Sequence, residues 1–240
     1  MSSIDSNMVL LTCSDVERGR LPLHGSRRAP GLSGVPTVEL PTRPGRADLD
    51  PVLAEHDPAR VVVAGTDADL AAVLLRLLRT ERLGVEVAYL PAPGSAAAVA
   101  WGLPTGRAAV ELALGGAAAP VPLVRDDSGG VLVGRAEIRE LRGECYCDDV
   151  LVVRGTAPRL VVVPGPAGIA VRAGRTGRRP DWQVRPVPPG ATAGRGSGVG
   201  RAVQVGCEPT VVVSDGVAHP RPVPRWTWYR HTSDWLLVRP

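Results

Sequence analysis

Two cysteines and two aspartates lie close together in the sequence and could bind a metal ion. They are Cys145, Cys147, Asp148 and Asp149. Structural zinc sites usually have wider cysteine spacing and a second ligand pair, which Cys207 alone does not supply. Adjacent carboxylates can hold Mg²⁺, yet two acids before a strand are also ordinary turn residues. We therefore predict a solvent-exposed strand end or turn in this segment, and no metal site.

Other catalytic patterns are excluded by their context or by composition. Residues 194–200 read GRGSGVG and match the spacing of a dinucleotide fingerprint, but a strand pattern follows where that motif needs a helix. No Gly-x-Ser-x-Gly sequence is present to carry a serine nucleophile. Lysine is absent, and all 28 residues counted as lysine or arginine are arginine. A Walker-type phosphate lysine and a pyridoxal Schiff base are therefore excluded.

The elements that must position any site begin with an α/β pattern. Four short apolar runs indicate buried strands: residues 8–11, 35–40, 60–64 and 85–90. Four segments have helical patterns: residues 50–57, 70–78, 94–101 and 105–114. Asp50-Pro51 is predicted to start the first helix, with proline at its first position. This alternation predicts an α/β lobe with a parallel sheet over residues 1–120.

Beyond residue 120 the pattern changes to short apolar or alternating runs separated by glycine, proline and aspartate. Such spacing favours an antiparallel β architecture. The fold class that we predict is an α/β lobe followed by a mainly antiparallel β-sandwich lobe over residues 121–240. At its end, residues 225–229 and 235–239 are predicted to pair as a hairpin. Trp226 and Trp228 share one strand face, Trp235 lies across the predicted hairpin, and all three are expected in the core of this lobe.

Three stretches, in order, resemble the diacylglycerol and sphingosine-type lipid kinases, which share a fold with NAD kinases. Residues 61–70 read VVVAGTDADL, where that family has a strand, Gly-Gly-Asp-Gly-Thr and a helix. Residues 90–95 read LPAPGS and lead to Gly102-Leu103-Pro104, similar to the family's second glycine motif, which also ends in Gly-Leu-Pro. Residues 211–216 read VVVSDG, where the family has Asp-Gly-Glu. The resemblance extends over residues 8–240.

The resemblance implies a diacylglycerol kinase-like protein that transfers a phosphoryl group from ATP, with Mg²⁺, to a lipid hydroxyl. In that family the glycine loop turns backbone amides and a helix N-terminus toward the ATP phosphates. The residues carried over to nucleotide binding are Gly65, Thr66, Asp67, Ala68, Gly94 and Ser95. Asp215 takes the position of the general base.

The motifs also depart from the family pattern, which keeps a second function open. Thr66 and Ala68 replace two glycines, Asp69 replaces a hydroxyl with a charge that repels phosphate, and Val217 replaces a glutamate. Asp67 or Asp69 can instead serve as the N-cap of the leucine-rich helix. Asp215-Gly216 can instead form a type I′ turn without a catalytic role. The alternative is a non-catalytic pseudo-kinase that acts as a binding or regulatory protein.

The charge distribution predicts one further surface. Residues 172–201 contain seven arginines and one acid, Asp181, and few aromatic residues lie among them. Such a segment can contact an anionic membrane, whereas nucleic acid is not expected as a partner without a base-stacking platform. The segment could also be an ordinary solvated loop. Residues 1–11 lack the pattern of a signal peptide, so we predict a cytoplasmic protein, with possible peripheral membrane contact.

Overall fold

The described part of the chain comprises residues 7–14, 31–32, 34–174 and 196–240 of a computed structural model. Of these residues, those up to 98 form one compact unit with residues 102–120 and 235–240, and residues 99–101 and 121–234 form a second. Most of the arginine-rich segment, including Arg175, Arg178 and Arg179, lies outside the described residues. Within the described ranges, no helix has the length and apolar character needed to cross a membrane.

A parallel sheet forms the centre of the first unit, because its β-branched strands are covered on both faces. Its strands are β1 (Met8–Cys13), β2 (Thr37–Leu40), β3 (Arg60–Gly65) and β4 (Glu86–Pro91). β1 pairs in parallel with β2 and β3, and β3 pairs in parallel with β4. The carboxyl ends of β1, β3 and β4 therefore lie at one edge of the sheet, where ligands bind in α/β proteins.

Four helices follow in the same region of the chain: α1 (Arg46–His56), α2 (Asp67–Arg79), α3 (Ala96–Trp101) and α4 (Gly106–Gly115). The helical pattern predicted over residues 70–78 corresponds to α2, in which Leu70, Val73, Leu74 and Leu77 are buried and Leu78 is half-buried. The predicted start of α1 at Asp50-Pro51 is wrong. The helix begins at Arg46 because the Asp48 carboxylate accepts the N–H of Gly45 at 2.8 Å, and Pro51 lies inside it.

Antiparallel strands build the second unit. They are β5 (Ala118–Asp126, which starts in the first unit), β6 (Val131–Leu132), β7 (Ala136–Cys147), β8 (Val150–Gly165), β9 (Gly168–Ala173), β10 (Ser197–Gly200), β11 (Ala202–Thr210), β12 (Val212–Ser214), β13 (Val217–Ala218) and β14 (Val223–Val238). The strand order is β10-β9-β8-β7-β11-β14, with β12 beside β7 and β5 beside β14. No helix follows Gly115 in the described residues. The predicted fold class is confirmed.

The end of the chain differs from the prediction. Instead of a hairpin, residues 223–238 form one continuous strand, β14. Its beginning pairs antiparallel with β11, and Leu236 and Leu237 pair in parallel with Glu86 and Val87 of β4. The polar residues 230–234 resemble a turn in sequence, but they are the more exposed part of a strand that remains extended. Trp226 and Trp228 are buried in the core of the second unit, as predicted. Trp235 is also buried, but it belongs to the first unit, so its predicted place in the β-rich lobe is wrong.

Candidate functional site

The structure brings together the residues that follow β3 and β4. Gly65 pairs with Pro91 across the two strands, and the Ala92 N–H donates to the Gly65 carbonyl at 2.8 Å. Thr66, Asp67 and Ala68 continue from Gly65 into α2, while Gly94 and Ser95 lead into α3. All six residues carried over to nucleotide binding therefore lie at the carboxyl edge of the parallel sheet, in the first unit.

The carboxylate of Asp67 is the centre of this region. Its Oδ1 accepts hydrogen bonds from the hydroxyls of Ser95 and Tyr89, the latter at 3.0 Å. Its Oδ2 accepts the backbone N–H groups of Ala96 at 2.8 Å and Ala97 at 3.2 Å. A carboxylate offers about four acceptor positions, so these four donors use its full capacity. Asp67 thereby ties the loop after β3 to the first turn of α3.

Asp69 forms a second carboxylate cluster. Its Oδ2 accepts the Thr66 N–H at 2.8 Å and the Thr66 hydroxyl at 2.7 Å, and its Oδ1 accepts the Arg43 N–H at 2.6 Å. The interpretation of Asp67 or Asp69 as the helix N-cap needs correction. Thr66 is the N-cap of α2, and Asp69, at the third helical position, completes a capping box with it. The Asp69 side chain has no exposed surface.

The negative charge of these carboxylates contributes to raised pKa values of two neighbouring groups, Cys13 and Tyr89. Burial raises the pKa of the Cys13 thiol to about 12, and the charge of Asp69 adds to that shift. Burial also raises the pKa of Tyr89, and the charges of Asp67 and Asp69 act in the same direction. Both residues lie near the carboxyl edge of the sheet, Cys13 at the end of β1 and Tyr89 in β4. The environment at this edge therefore disfavours additional negative charge.

Asp215 belongs to the second unit and occupies a tight turn between β12 and β13. Ser214 pairs with Val217, and both Asp215 and Gly216 have positive φ, 48° and 84°, as a type I′ turn requires. The Asp215 carboxylate accepts three successive backbone N–H groups, those of Val133 at 3.0 Å, Gly134 at 2.8 Å and Arg135 at 2.9 Å. These contacts fix residues 133–135 to the turn.

The prediction of a solvent-exposed strand end or turn is wrong for Cys145 and Cys147, which are buried, and agrees with the structure for Asp148 and Asp149, which are exposed. Cys145 and Cys147 are buried in the core of the second unit, and burial raises the pKa of their thiols to about 12 and about 11. Asp148 and Asp149 form the two-residue turn between β7 and β8, since Cys147 pairs with Val150. In the described residues no group of three or more metal-ligating side chains is found.

Two contributors to the site were not identified from the sequence. Tyr89 is the one residue with a hydroxyl in the apolar run near the end of β4, and this could have indicated a polar contact at the site. Arg43 contributes only its backbone N–H, and no residue-type pattern predicts such a contact. The spacing of Thr66 and Asp69 does match a capping box, which would have identified their pairing.

Comparisons with known proteins identify the fold. No protein-family model and no curated protein sequence matches the chain. The chain is similar in structure to a putative diacylglycerol kinase from Bacillus anthracis strain Sterne, with a TM-score of 0.68, 13% identity, and coverage of 100% of this chain and 99% of that one. It is also similar to an NAD kinase from Archaeoglobus fulgidus solved in complex with ATP, with a TM-score of 0.52, 13% identity, and coverage of 97% and 93%. The chain thus has the diacylglycerol kinase and NAD kinase-like fold.

Proposed function

We propose that this protein is a non-catalytic member of the kinase-like folds, which acts as a binding or regulatory protein. The observation that carries the proposal is the Asp67 carboxylate. It accepts the N–H groups of Ala96 and Ala97 together with the hydroxyls of Tyr89 and Ser95. In a phosphate-binding loop, amides in such positions would be directed at the ligand. Here they are directed at a side chain of the protein.

The residues present do not fit a bound triphosphate with Mg²⁺. The N–H of Thr66 is engaged by Asp69, and those of Ala96 and Ala97 by Asp67. A carboxylate about 4 Å from a phosphate charge costs about 4 kcal/mol at an effective dielectric of about 20. The chain has no lysine that could offset this repulsion. Phosphoryl transfer depends on positioning and charge stabilisation, and this loop is arranged against both.

The arrangement of Asp215 supports the same proposal. A general base needs an oxygen that can accept a proton from the substrate hydroxyl. Backbone N–H groups of residues 133–135 take three of the about four acceptor positions of the Asp215 carboxylate, which leaves it less able to take up that proton. We therefore assign Asp215 the structural role of fixing residues 133–135 to the turn between β12 and β13.

Calorimetry tests the proposal directly. ATP with Mg²⁺ is titrated into this protein up to roughly millimolar concentration, with the Archaeoglobus fulgidus NAD kinase as the positive control. We expect no saturable heat and no rise in melting temperature, because only a ligand of the folded state stabilises it by mass action. Saturable binding of ATP, or hydrolysis that depends on the protein, would overturn the proposal.

The second candidate function is ATP-dependent phosphorylation of a lipid hydroxyl. The observation that favours it is the meeting of Gly65–Ala68 with Gly94–Ser95 at the carboxyl edge of a parallel sheet, where ligands bind in α/β folds. In this case Asp215 would be the base, and contact with an anionic membrane from a cytoplasmic location would present the lipid.

A kinase assay separates the two candidates. The protein is incubated with labelled ATP, Mg²⁺ and diacylglycerol in mixed micelles, beside the variants Asp215→Asn and Asp148→Asn. Asp148 is the matched control because it also accepts backbone N–H groups beside a turn, those of Arg201 and Ala202. Labelled lipid formed by the wild type and by Asp148→Asn, but lost in Asp215→Asn, would establish the lipid kinase. Absence of label in all three supports the non-catalytic protein.

A further inference from the structure

The short helix α3 connects two carboxylate clusters that lie in different units. Its first residues, Ala96 and Ala97, donate their N–H groups to Asp67 in the first unit. Its last residue, Trp101, belongs to the second unit and donates its indole N–H to the carbonyl of Val133 at 2.9 Å. Each of these hydrogen bonds lies inside one unit, and the helix backbone is the covalent connection between them.

The contact of Trp101 leads directly to Asp215. The carbonyl of Val133 and the N–H of Gly134 belong to the same planar peptide group. The carbonyl end accepts the Trp101 indole at 2.9 Å, and the N–H end donates to Asp215 at 2.8 Å. Trp101 and Val133 are 3% and 1% exposed, so water cannot readily replace either group. A displacement of the indole therefore changes the orientation of an amide that holds Asp215.

The helix between the two clusters, α3, is capped at both ends. Ser95 is its N-cap and accepts the Ala98 N–H at 2.9 Å, while the same hydroxyl donates to Asp67. At the other end Gly102 has a φ of 66°, and the Leu103 N–H donates to the Ala98 carbonyl at 2.8 Å, as in a Schellman motif. The helix is thus held at its first turn through Ser95 and at its end through Gly102 and Leu103.

We propose that α3 is a coupling element, through which the Asp67 cluster and the Asp215 turn stabilise each other. Release of Asp67 from the first turn of α3 frees the helix to move, and Trp101 then loses its fixed position against Val133. The reverse also holds, because coupling between two sites is reciprocal. A ligand or partner that displaces a donor from either carboxylate would change the stability of the contacts at the other. The coupling applies to a catalytic and to a non-catalytic protein alike.

Hydrogen exchange of the full chain, resolved by residue, tests the proposal. In Asp67→Asn we expect the amides of Gly134 and Arg135 to exchange about fivefold faster or more, the lower end of common coupling strengths. In Asp215→Asn we expect the same change at Ala96 and Ala97.

Ser95→Ala, which removes one donor from Asp67, is the milder variant should Asp67→Asn not fold. Amides of the buried residues Val62 and Val162 serve as references for global opening.

Two further variants test whether the coupling depends on Trp101 and whether it is specific to Asp67 and Asp215. Trp101→Phe removes the indole donor, and in that background Asp67→Asn should no longer change exchange at Gly134 and Arg135. Asp148→Asn should accelerate exchange at Arg201 and Ala202, which Asp148 holds, and leave Ala96 and Ala97 unchanged. Effects confined to the unit that carries each substitution would overturn the proposal. Transmission that persists in Trp101→Phe would also overturn it, since the coupling would then not pass through the indole hydrogen bond to Val133.

Discussion

The Ser95 hydroxyl donates a hydrogen bond to the carboxylate of Asp67, 28 residues earlier in the chain. The same hydroxyl caps α3 by accepting the Ala98 N–H. One side chain thus satisfies a helix end and fixes the carboxylate that follows β3. Since the N–H groups of Ala96 and Ala97 donate to the same carboxylate, hydrogen bonds of the protein itself join the loops after β3 and β4.

Asp67→Asn is expected to lower the free energy of unfolding by about 3 kcal/mol. Hydrogen bonds to a charged group contribute about 1.5–3 kcal/mol each, and the NH₂ of asparagine replaces one of the two oxygens, so that two of the four donors lose their acceptor. Urea unfolding at neutral pH measures the loss. Asp127→Asn is the matched control, because Asp127 is exposed and the same substitution there should change stability by less than about 0.5 kcal/mol. Equal stability of the two variants would show that the Asp67 contacts contribute little.

The fold could be predicted from the sequence because its signals are local. Residues 60–65 and 86–91 contain runs of β-branched or apolar residues, and α2 has its leucines on one face. Local signals were misleading where tertiary structure decided the outcome. The polar residues 230–234 suggested a turn, but the strand continues because its two ends pair with β11 and with β4.

The candidate site could be predicted only as a set of positions. The parallel pairing of β3 and β4 brings Gly65 and Ser95 to the same edge, and the order of the motifs was sufficient to expect that. The direction of the Asp67 side chain depends on the position of α3 beside it, which no local pattern specifies. The sequence therefore indicated that the charge of Asp69 repels phosphate, but not that the carboxylate of Asp67 is already bound by the amides of Ala96 and Ala97.

The stability contribution of Glu137 is expected to depend on pH. Burial alone would raise the pKa of Glu137, but hydrogen bonds from Arg159 and Arg139 outweigh burial and lower that pKa below its usual value. The unfolded chain then binds the proton first as the pH falls, so the contribution is complete above the unfolded pKa of about 4.3 and is lost as the pH falls through the folded pKa.

Glu137→Gln tests this sign. At pH 7 the variant should be less stable by about 2 kcal/mol, because the mostly buried Arg159 loses a charged acceptor. By about pH 3 the difference from the wild type should shrink, since the wild type has lost the same interaction. Urea unfolding at both pH values measures it. Glu144→Gln, at a more exposed pair with Arg154, should cost less than about 1 kcal/mol. A difference that is constant with pH would contradict the prediction.

The four thiols are expected to react at different rates. Thiolates are the reactive species, and burial raises the pKa of Cys13 and Cys145 to about 12 and of Cys147 to about 11. Cys207 is the one thiol of the described residues that is partly exposed. At pH 8 a thiol reagent should modify Cys207 at least about tenfold faster than the others, and all four should react in urea. A fast phase that survives in Cys207→Ser would assign the reactivity to another cysteine.

Gly102→Ala is expected to destabilise the protein by about 1 kcal/mol. Gly102 ends α3 in the left-handed region, with a φ of 66°, where a Cβ is strained even though no atom lies within 4 Å of its position. Gly84 is the matched control, because its Cβ position is also open and its φ is not in that region. Gly84→Ala should therefore be neutral or should stabilise the protein by up to about 1 kcal/mol, since alanine restricts the unfolded chain. Thermal and urea unfolding of both variants measures the contrast. Equal effects of the two substitutions would mean that the end of α3 tolerates a Cβ, and that the helix is not held as closely as its caps indicate.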